Sequence, residues 1–374
     1  MKKILFLINN LSYGGAERVL VNLANNMDKT KFDVTVQTLF DEGVNKQFLS
    51  DSVHYRSSLK KSFKGNSIVI KMLPPRLLYK FFVKEDYDVV VAYLEGSCTR
   101  ILSGCKDKNT KKVTWVHIEL TQPKLFKSSF WTLRSARKAY NKYNKIICVA
   151  ETVKGAFVKT LGIYPDTLDV LYNTNETDRI LTLSTEPIED IQFENDVPNF
   201  CSVAKIIPTK GFDRLLNVHK RLLDEGYKHR IYLIGIGEQM EELKRAAAEK
   251  GVADSFIFLG FKENPYKYMK ACNAYVCSSR REGFSTAVTE ALVLGLPTVS
   301  TNCSGAIELL GENDDYGIVV DNSEEGIYEG MKKMLSGSDT LSHYKELAKE
   351  RGKAFKTHKT VKAVEDMLEG LFKN

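Results

Sequence analysis

AYVCSSRREGFSTAVTEALVLGLPTVST, residues 274–301, reads as one strand–helix–strand unit. AYVCSS is a short apolar run fit for a buried strand, and PTVST is a second. Between them Gly283 and Phe284 turn the chain, Ser285 or Thr286 begins a helix, Gly295 ends it and Pro297 prevents its continuation. A helix joining two nearly continuous apolar strands implies a parallel sheet covered on both faces.

The same alternation extends in both directions. KILFLI, FDVTVQTL, DVVVAYL, KVTWVHI and KIICVA are apolar runs in the first half, and FCSVAK, RIYLIG, SFIFLG, AYVCSS and PTVST follow in the second. Helical-period segments separate them, giving two α/β sets of the doubly wound, Rossmann-like kind, and 374 residues suit two cores better than one. The least patterned stretch between the sets, 176–197, is polar and acidic and reads as a linker. We expect domains at 1–180 and 181–356, with a helix near 357–372 returning to the first. Ligands of such domains sit beyond the carboxyl ends of the strands, and two domains facing one another would form a cleft there.

Composition narrows the class. Hydrophobic residues at 43% and charged residues at 27% are ordinary globular usage, against intrinsic disorder. Seven cysteines are scattered without metal-site spacing, which reads as reduced cytosolic thiols. The opening MKKILFLINN has a basic start, but its apolar run is too short for a secretory leader and reads as a first strand. No stretch approaches a membrane span. The net charge of +7 hides an asymmetry: residues 1–180 carry 29 Lys and Arg against 17 Asp and Glu, and the remainder 25 against 30. Residues 60–145 alone hold 19 basic and 6 acidic side chains, which would attract an anionic surface, a polyphosphate or nucleic acid.

Four segments carry chemistry. NNLSYGGAERVLVNLANNM puts Gly14 and Gly15 at a helix entrance, where backbone amides can face an anion. It is not a GxGxxG dinucleotide fingerprint. SVAKIIPTKGFDRLL places Lys205 and Lys210 after a strand, two point charges suited to a diphosphate. YLIGIGEQM contributes Gly235 and Gly237, and IFLGF contributes Gly260 and Phe261, which could hold a flat base. In the opening segment Glu282 and Glu290 lie eight positions apart around the amides of 284–286. Carboxylates for hydroxyls beside amides for an anion are what a sugar phosphate needs. DYD at 86–88 mimics a metal-binding DxD but precedes a strand's amino end and reads as a turn.

In this order GGAE, K-x4-KGF, GxGE, FLGF, EGFSTAVTEALVLGLPTVST and SGAIELL resemble the retaining glycosyltransferases of family 4, of the GT-B fold and the bacterial cell-surface polysaccharide type. The resemblance implies that Glu290 binds the ribose hydroxyls and that Glu282, with the amides of Gly283, Phe284 and Ser285 and the adjoining Thr286, holds the donor sugar and phosphate. Lys205, where the family usually has Arg, and Lys210 would meet the diphosphate, with the Gly15 amide closing from the first domain. His117 matches the acceptor-side histidine; with Glu282 and Lys210 it makes up the implied catalytic set. Asn173 matches the Asn of an NGVD-like turn from which Thr174 and Asn175 depart.

The implied reaction moves a hexose-type sugar from a nucleotide-diphosphate sugar, UDP being the family's commonest handle, to a hydroxyl of a saccharide acceptor. It requires no metal or other cofactor, because lysines and amides offset the leaving charge. The acceptor would be lipid-linked, in capsule, exopolysaccharide or lipopolysaccharide assembly. The protein would then be cytoplasmic and peripheral at the inner membrane face, held through the basic residues of 60–145. The alternatives are a nucleotide-sugar epimerase, a phosphorylase, for which no cofactor-lysine motif is found, and a non-catalytic GT-B partner subunit. Nucleic-acid binding is disfavoured because no RNP-like or helix-turn-helix pattern interleaves the basic patch.

Overall fold

A computed structural model describes every residue except Tyr13, Tyr164, Asn195 and Asn374, and every side chain but those and the ones of Pro123, Lys124 and Pro165. The chain divides into two compact units, Met1–Thr174 with Thr357–Asn374, and Asn175–Lys356.

The first unit is built on seven strands: β1 Lys2–Ile8, β2 Phe32–Phe40, β3 His54–Leu59, β4 Val89–Ala92, β5 Lys111–Val116, β6 Lys145–Cys148 and β7 Leu168–Val170. Their order is β3-β2-β1-β4-β5-β6-β7, and every pairing is parallel. Ile4 to Ile8 are fully buried, as a central strand with helices on both faces must be. Helix Thr357–Gly370 belongs to this unit and buries Val361, Val364 and Leu368. Glu365 accepts from the Asp28 N–H at 2.6 Å, and Lys31 pairs with Glu369 at 2.9 Å.

The second unit holds six parallel strands, β8 Asn199–Val203, β9 Arg230–Ile234, β10 Phe256–Gly260, β11 Ala274–Cys277, β12 Thr298–Thr301 and β13 Ile318–Val320, in the order β10-β9-β8-β11-β12-β13. Its core gathers Phe200, Leu215, Leu216, Ile231, Leu233, Val276 and Val299 with Ile327 and Met331 from a covering helix. In both units the order reverses beside the first strand, between β1 and β4 and between β8 and β11. Connections leave in opposite directions there and a crevice opens at the strands' carboxyl ends.

Two differences from the sequence reading have physical causes. The stretch taken as a linker contains helix Thr177–Leu183, and the boundary falls at 174/175, six residues before the expected one. Asn264 donates to Leu183 O and to Glu186, which ties that helix to the second unit. The strands that escaped notice, β3, β7 and β13, all lie at sheet edges, and the latter two have only three residues each. An edge strand has one neighbour and carries less of the apolar signal. Among the described residues all seven cysteines are free thiols.

Candidate functional site

The crevice between β8 and β11 carries the densest chemistry. The chain leaving β8 passes exposed Lys205, makes a single turn at Pro208–Lys210, and enters helix Phe212–Asp224 through Gly211. Gly211 has φ +67°, and a Cβ there would stand 2.2 Å from Ser278 O. Only glycine therefore permits the close approach of this loop to the one that follows β11.

The two loops are joined by ion pairs and several backbone ties. Lys210 Nζ lies 2.7 Å from Glu282 Oε1, with the two side chains only 23% and 13% exposed. Burial alone would lower the Lys210 ammonium, but the charge and hydrogen bond of Glu282 outweigh it and hold the group above its ordinary value. Ser279 Oγ donates to the same carboxylate oxygen at 2.6 Å, and Ser278 Oγ donates to Lys210 O at 2.9 Å. Arg214 donates to Ser278 O (2.7 Å) and to Asn322 O and Oδ1 (both 3.0 Å), and Asn322 returns a bond to Arg280 O. Arg280 forks onto both carboxylate oxygens of Asp213 at 2.7 and 2.6 Å. Ser278, Ser279, Asp213, Arg214, Arg280 and Asn322 were not singled out from the sequence. Partners as distant as 108 positions leave no local pattern.

Beyond Glu282, Gly283 and Phe284 turn into helix Thr286–Val293. The Phe284 ring is buried and packs edge-on against Phe355, so this residue offers the site its backbone only. Ser285 is the N-cap, accepting from Val288 N–H at 3.3 Å. Glu290 lies on the same helix and accepts from Tyr266 Oη at 3.2 Å. Leu294 is the C-cap and Gly295 the next residue, φ +71°; Gly295 N–H bonds Leu292 O and Leu296 N–H bonds Ala291 O, a Schellman closure.

Gly235, Gly237 and Gly260 lie at the carboxyl ends of the neighbouring strands β9 and β10. Added Cβ atoms at Gly235 and Gly237 would meet Ala204 O at 1.9 Å and Ile206 O at 2.2 Å, so these glycines serve backbone packing. Gly260 accepts from Gly235 N–H, and Phe261 after it is 55% exposed. The second unit thus sets Lys205, Lys210, Gly260, Phe261, Glu282–Thr286 and Glu290 along the carboxyl edge of one sheet, and joins Lys210 to Glu282 directly.

Gly15 and His117 belong to the first unit. Gly15 is the first residue of helix Gly15–Asn26, with Gly14 as its N-cap. His117 follows β5 directly; its ring is buried, lies tilted 5.0 Å from the Tyr93 ring, and leaves Nε2 without a hydrogen bond among the described residues. Burial lowers its pKa to about 4, against a hydrogen bond from the ring to the Tyr93 backbone carbonyl, so the imidazole is neutral at pH 7. The backbone N–H of His117 donates to Glu95 Oε2 at 2.9 Å, and burial raises that carboxyl. Glu95, which sequence reading missed, follows β4, so His117 and Glu95 stand at the carboxyl ends of adjacent strands. Asn173 is buried beyond β7. Asp88 of the DYD turn accepts from Lys3 N–H at 2.8 Å at the amino end of β4, remote from these groups.

A nearly buried lysine–carboxylate pair beside a serine-capped helix, with a second carboxylate one helix length on, can hold an anion and hydroxyls together. Comparison with known proteins gives this chemistry a setting. Residues 13–179 match the model described as Glycosyltransferase Family 4, and residues 184–351 the one described as Glycosyl transferases group 1. An N-acetylgalactosamine-N,N'-diacetylbacillosaminyl-diphospho-undecaprenol 4-alpha-N-acetylgalactosaminyltransferase of Campylobacter jejuni is 27% identical over 375 residues, covering 95% of this chain and 96% of its own. The crystal structure of Anabaena Alr3699/HepE in complex with UDP and glucose has TM-score 0.77 at 17% identity, over 99% of this chain and 100% of that one. The lipopolysaccharide outer core galactosyltransferase WaaB, in apo form, has TM-score 0.73 at 15% identity, over 99% of each chain.

Proposed function

Since the chain belongs to the glycosyltransferases that join a family 4 domain to a group 1 domain on the GT-B fold, we propose that it transfers a hexose-type sugar from a nucleotide-diphosphate sugar, with UDP as the handle, to a hydroxyl of a saccharide acceptor, retaining the anomeric configuration. The observation that carries this reading is the Lys210–Glu282 pair at the reversal between β8 and β11, next to the Ser285-capped helix.

Breakage of the glycosidic bond puts negative charge on the departing diphosphate. Lys210, held protonated by Glu282, and the amides of Gly283, Phe284 and Ser285 would meet that charge as it forms, with Lys205 alongside. These groups would take the role that a divalent cation plays in other transferases. Glu282 would also orient the donor sugar, Glu290 the ribose hydroxyls, and Gly260 with Phe261 the base. Neutral His117 would accept a hydrogen bond at Nε2 or donate one, according to tautomer, on the acceptor side, and the Gly15 amide would face the donor phosphate. The Campylobacter relative's name includes a diphospho-undecaprenol acceptor, which supports a lipid-linked acceptor here and a place at the inner face of the cell membrane, in surface-polysaccharide assembly.

Thermal shift against UDP, GDP, ADP and TDP in EDTA, on the wild type and on Glu290→Ala and Lys210→Ala, is the test. Stabilisation by one nucleotide that both substitutions abolish is the expected result. No shift with any of them would sink the donor site and favour a non-catalytic subunit.

A further inference from the structure

Residues 60–84 hold seven Lys and Arg and residues 120–144 six, and neither stretch contains an Asp or Glu. The structure brings these two acid-free stretches together. Trp131 Nε1 donates to Lys71 O at 3.1 Å, Lys71 Nζ donates to Lys127 O at 2.8 Å, and the same ammonium stands 4.3 Å over the Trp131 ring. On this surface the apolar side chains face water. Ile68, Met72, Leu73, Leu77, Phe81 and Trp131 are between 42% and 68% exposed.

The exposure is that of a fixed face. In helix Asn66–Met72, Ile70 points inward while Ile68 and Met72 point out; in helix Pro75–Phe82, Leu78 and Phe82 point inward while Leu77 and Phe81, four residues apart, point out. Arg100, itself buried, donates to the carbonyls of Ile70, Lys71 and Leu73 at 3.0, 2.8 and 3.0 Å and so closes the first helix. The second helix starts against Gly104, where a Cβ would stand 2.0 Å from Pro75 O. Both helices are clamped from below, and their outer sides are left bare.

We propose that this face seats the protein on an anionic bilayer: Ile68, Met72, Leu77, Phe81 and Trp131 enter the boundary between headgroups and acyl chains while Lys64, Arg76, Lys80, Lys84 and Lys127 meet lipid phosphates. It rests on the reading of a lipid-linked acceptor. Its distinguishing feature is the apolar component. A nucleic acid or a soluble polyanion would use the cations and leave five large hydrophobic side chains in water, whereas a membrane interface buries them to a depth of about 5–10 Å. Trp131, with its N–H bonded and its side chain more than half exposed, is the kind of residue favoured at that depth.

The two tryptophans make the test direct, because Trp115 is 3% exposed and Trp131 59%. The full chain is mixed with vesicles of phosphatidylglycerol and phosphatidylcholine, or of phosphatidylcholine alone, with and without brominated acyl chains. Expected are flotation with the anionic vesicles, a blue shift of emission, and quenching by bromine that disappears in Trp131→Phe. The triple variant Met72→Ser, Leu77→Ser, Phe81→Ser, altered only at exposed positions, should keep its melting temperature and its UDP-induced shift while losing at least about tenfold in vesicle affinity. Unchanged affinity of the triple variant, or unquenched Trp131 with duplex DNA displacing the vesicles, would overturn the proposal in favour of plain polyanion adsorption. Absence of vesicle binding by the unaltered chain, with its sugar transfer to a soluble saccharide intact, would remove this face alone; vesicle binding by the unaltered chain with no nucleotide shift would remove the transferase reading alone.

Discussion

Lys210 shows how much rests on one side chain. Replaced by Met, it leaves the Glu282 carboxylate in a nearly buried position with its charge unpaired and Ser279 Oγ still donating to it. Unfolding in urea should then show a loss of about 2 kcal/mol, and the double variant with Glu282→Gln should recover part of it. Transfer activity should fall by about 100-fold or more in both. Because the Lys210 pKa is raised, its share of stability is present below the ordinary lysine value and lost as pH rises through the folded one, so this pair leaves stability flat near neutrality. The histidines act in the other direction. His117 and His229 are lowered to about 4 and His219 to about 2, in each case chiefly by burial. His219 is bonded to His229 Nε2 and to Ser255 Oγ at 2.8 Å each, a closed neutral chain. A depressed pKa gives stability that is present above about 6.5 and lost as pH falls toward the folded value, about 3 kcal/mol for a shift to about 4. Urea midpoints should therefore drop steeply between pH 7 and pH 5, and less so in His229→Gln; a level profile would contradict the buried neutral state. Glu282, Lys210, Ser285 and Glu290 were legible because a motif orders them along the chain. Arg214, Asn322 and Glu95 were not, since they act on backbone groups or on residues far away in sequence.

Among the elements, short loops at strand ends decide more than the helices they introduce. Gly211→Ala should cost both folding stability, by about 2 kcal/mol or more, and nucleotide binding, since positive φ and the 2.2 Å approach to Ser278 O oppose the new methyl together. Ser285→Ala should cost about 1 kcal/mol through the lost cap while weakening the nucleotide-induced thermal shift. Comparing melting curves with and without UDP separates the two terms. Central strands and their helices were readable because two-sided burial writes continuous apolar runs. The helix at Thr177–Leu183 was hidden by its polar neighbours, with only Thr177 and Ile180 buried. The edge strands β3, β7 and β13 were hidden by shortness or by an exposed face.

For the molecule as a whole, the chain crosses from one unit to the other and back. A chain ended at Lys356 would lack Val361, Val364 and Leu368 and the ties of Glu365 and Glu369 to Asp28 and Lys31. The three apolar side chains alone stand for about 5 kcal/mol, comparable with the stability of a domain. Limited proteolysis of that truncated chain should degrade Met1–Thr174 and spare Asn175–Lys356. The excess of positive charge in the first half was legible as a number; that its cations surround exposed apolar side chains was not, since which side of a helix faces out depends on its docking. The return of the last helix also orders events in time. During synthesis the strands of the first unit leave the ribosome well before the segment that completes their outer layer, and the whole second unit emerges in between. The part made first is finished last, so on the ribosome Asn175–Lys356 reaches its native state while its predecessor still waits, incomplete, for residues 357 onward.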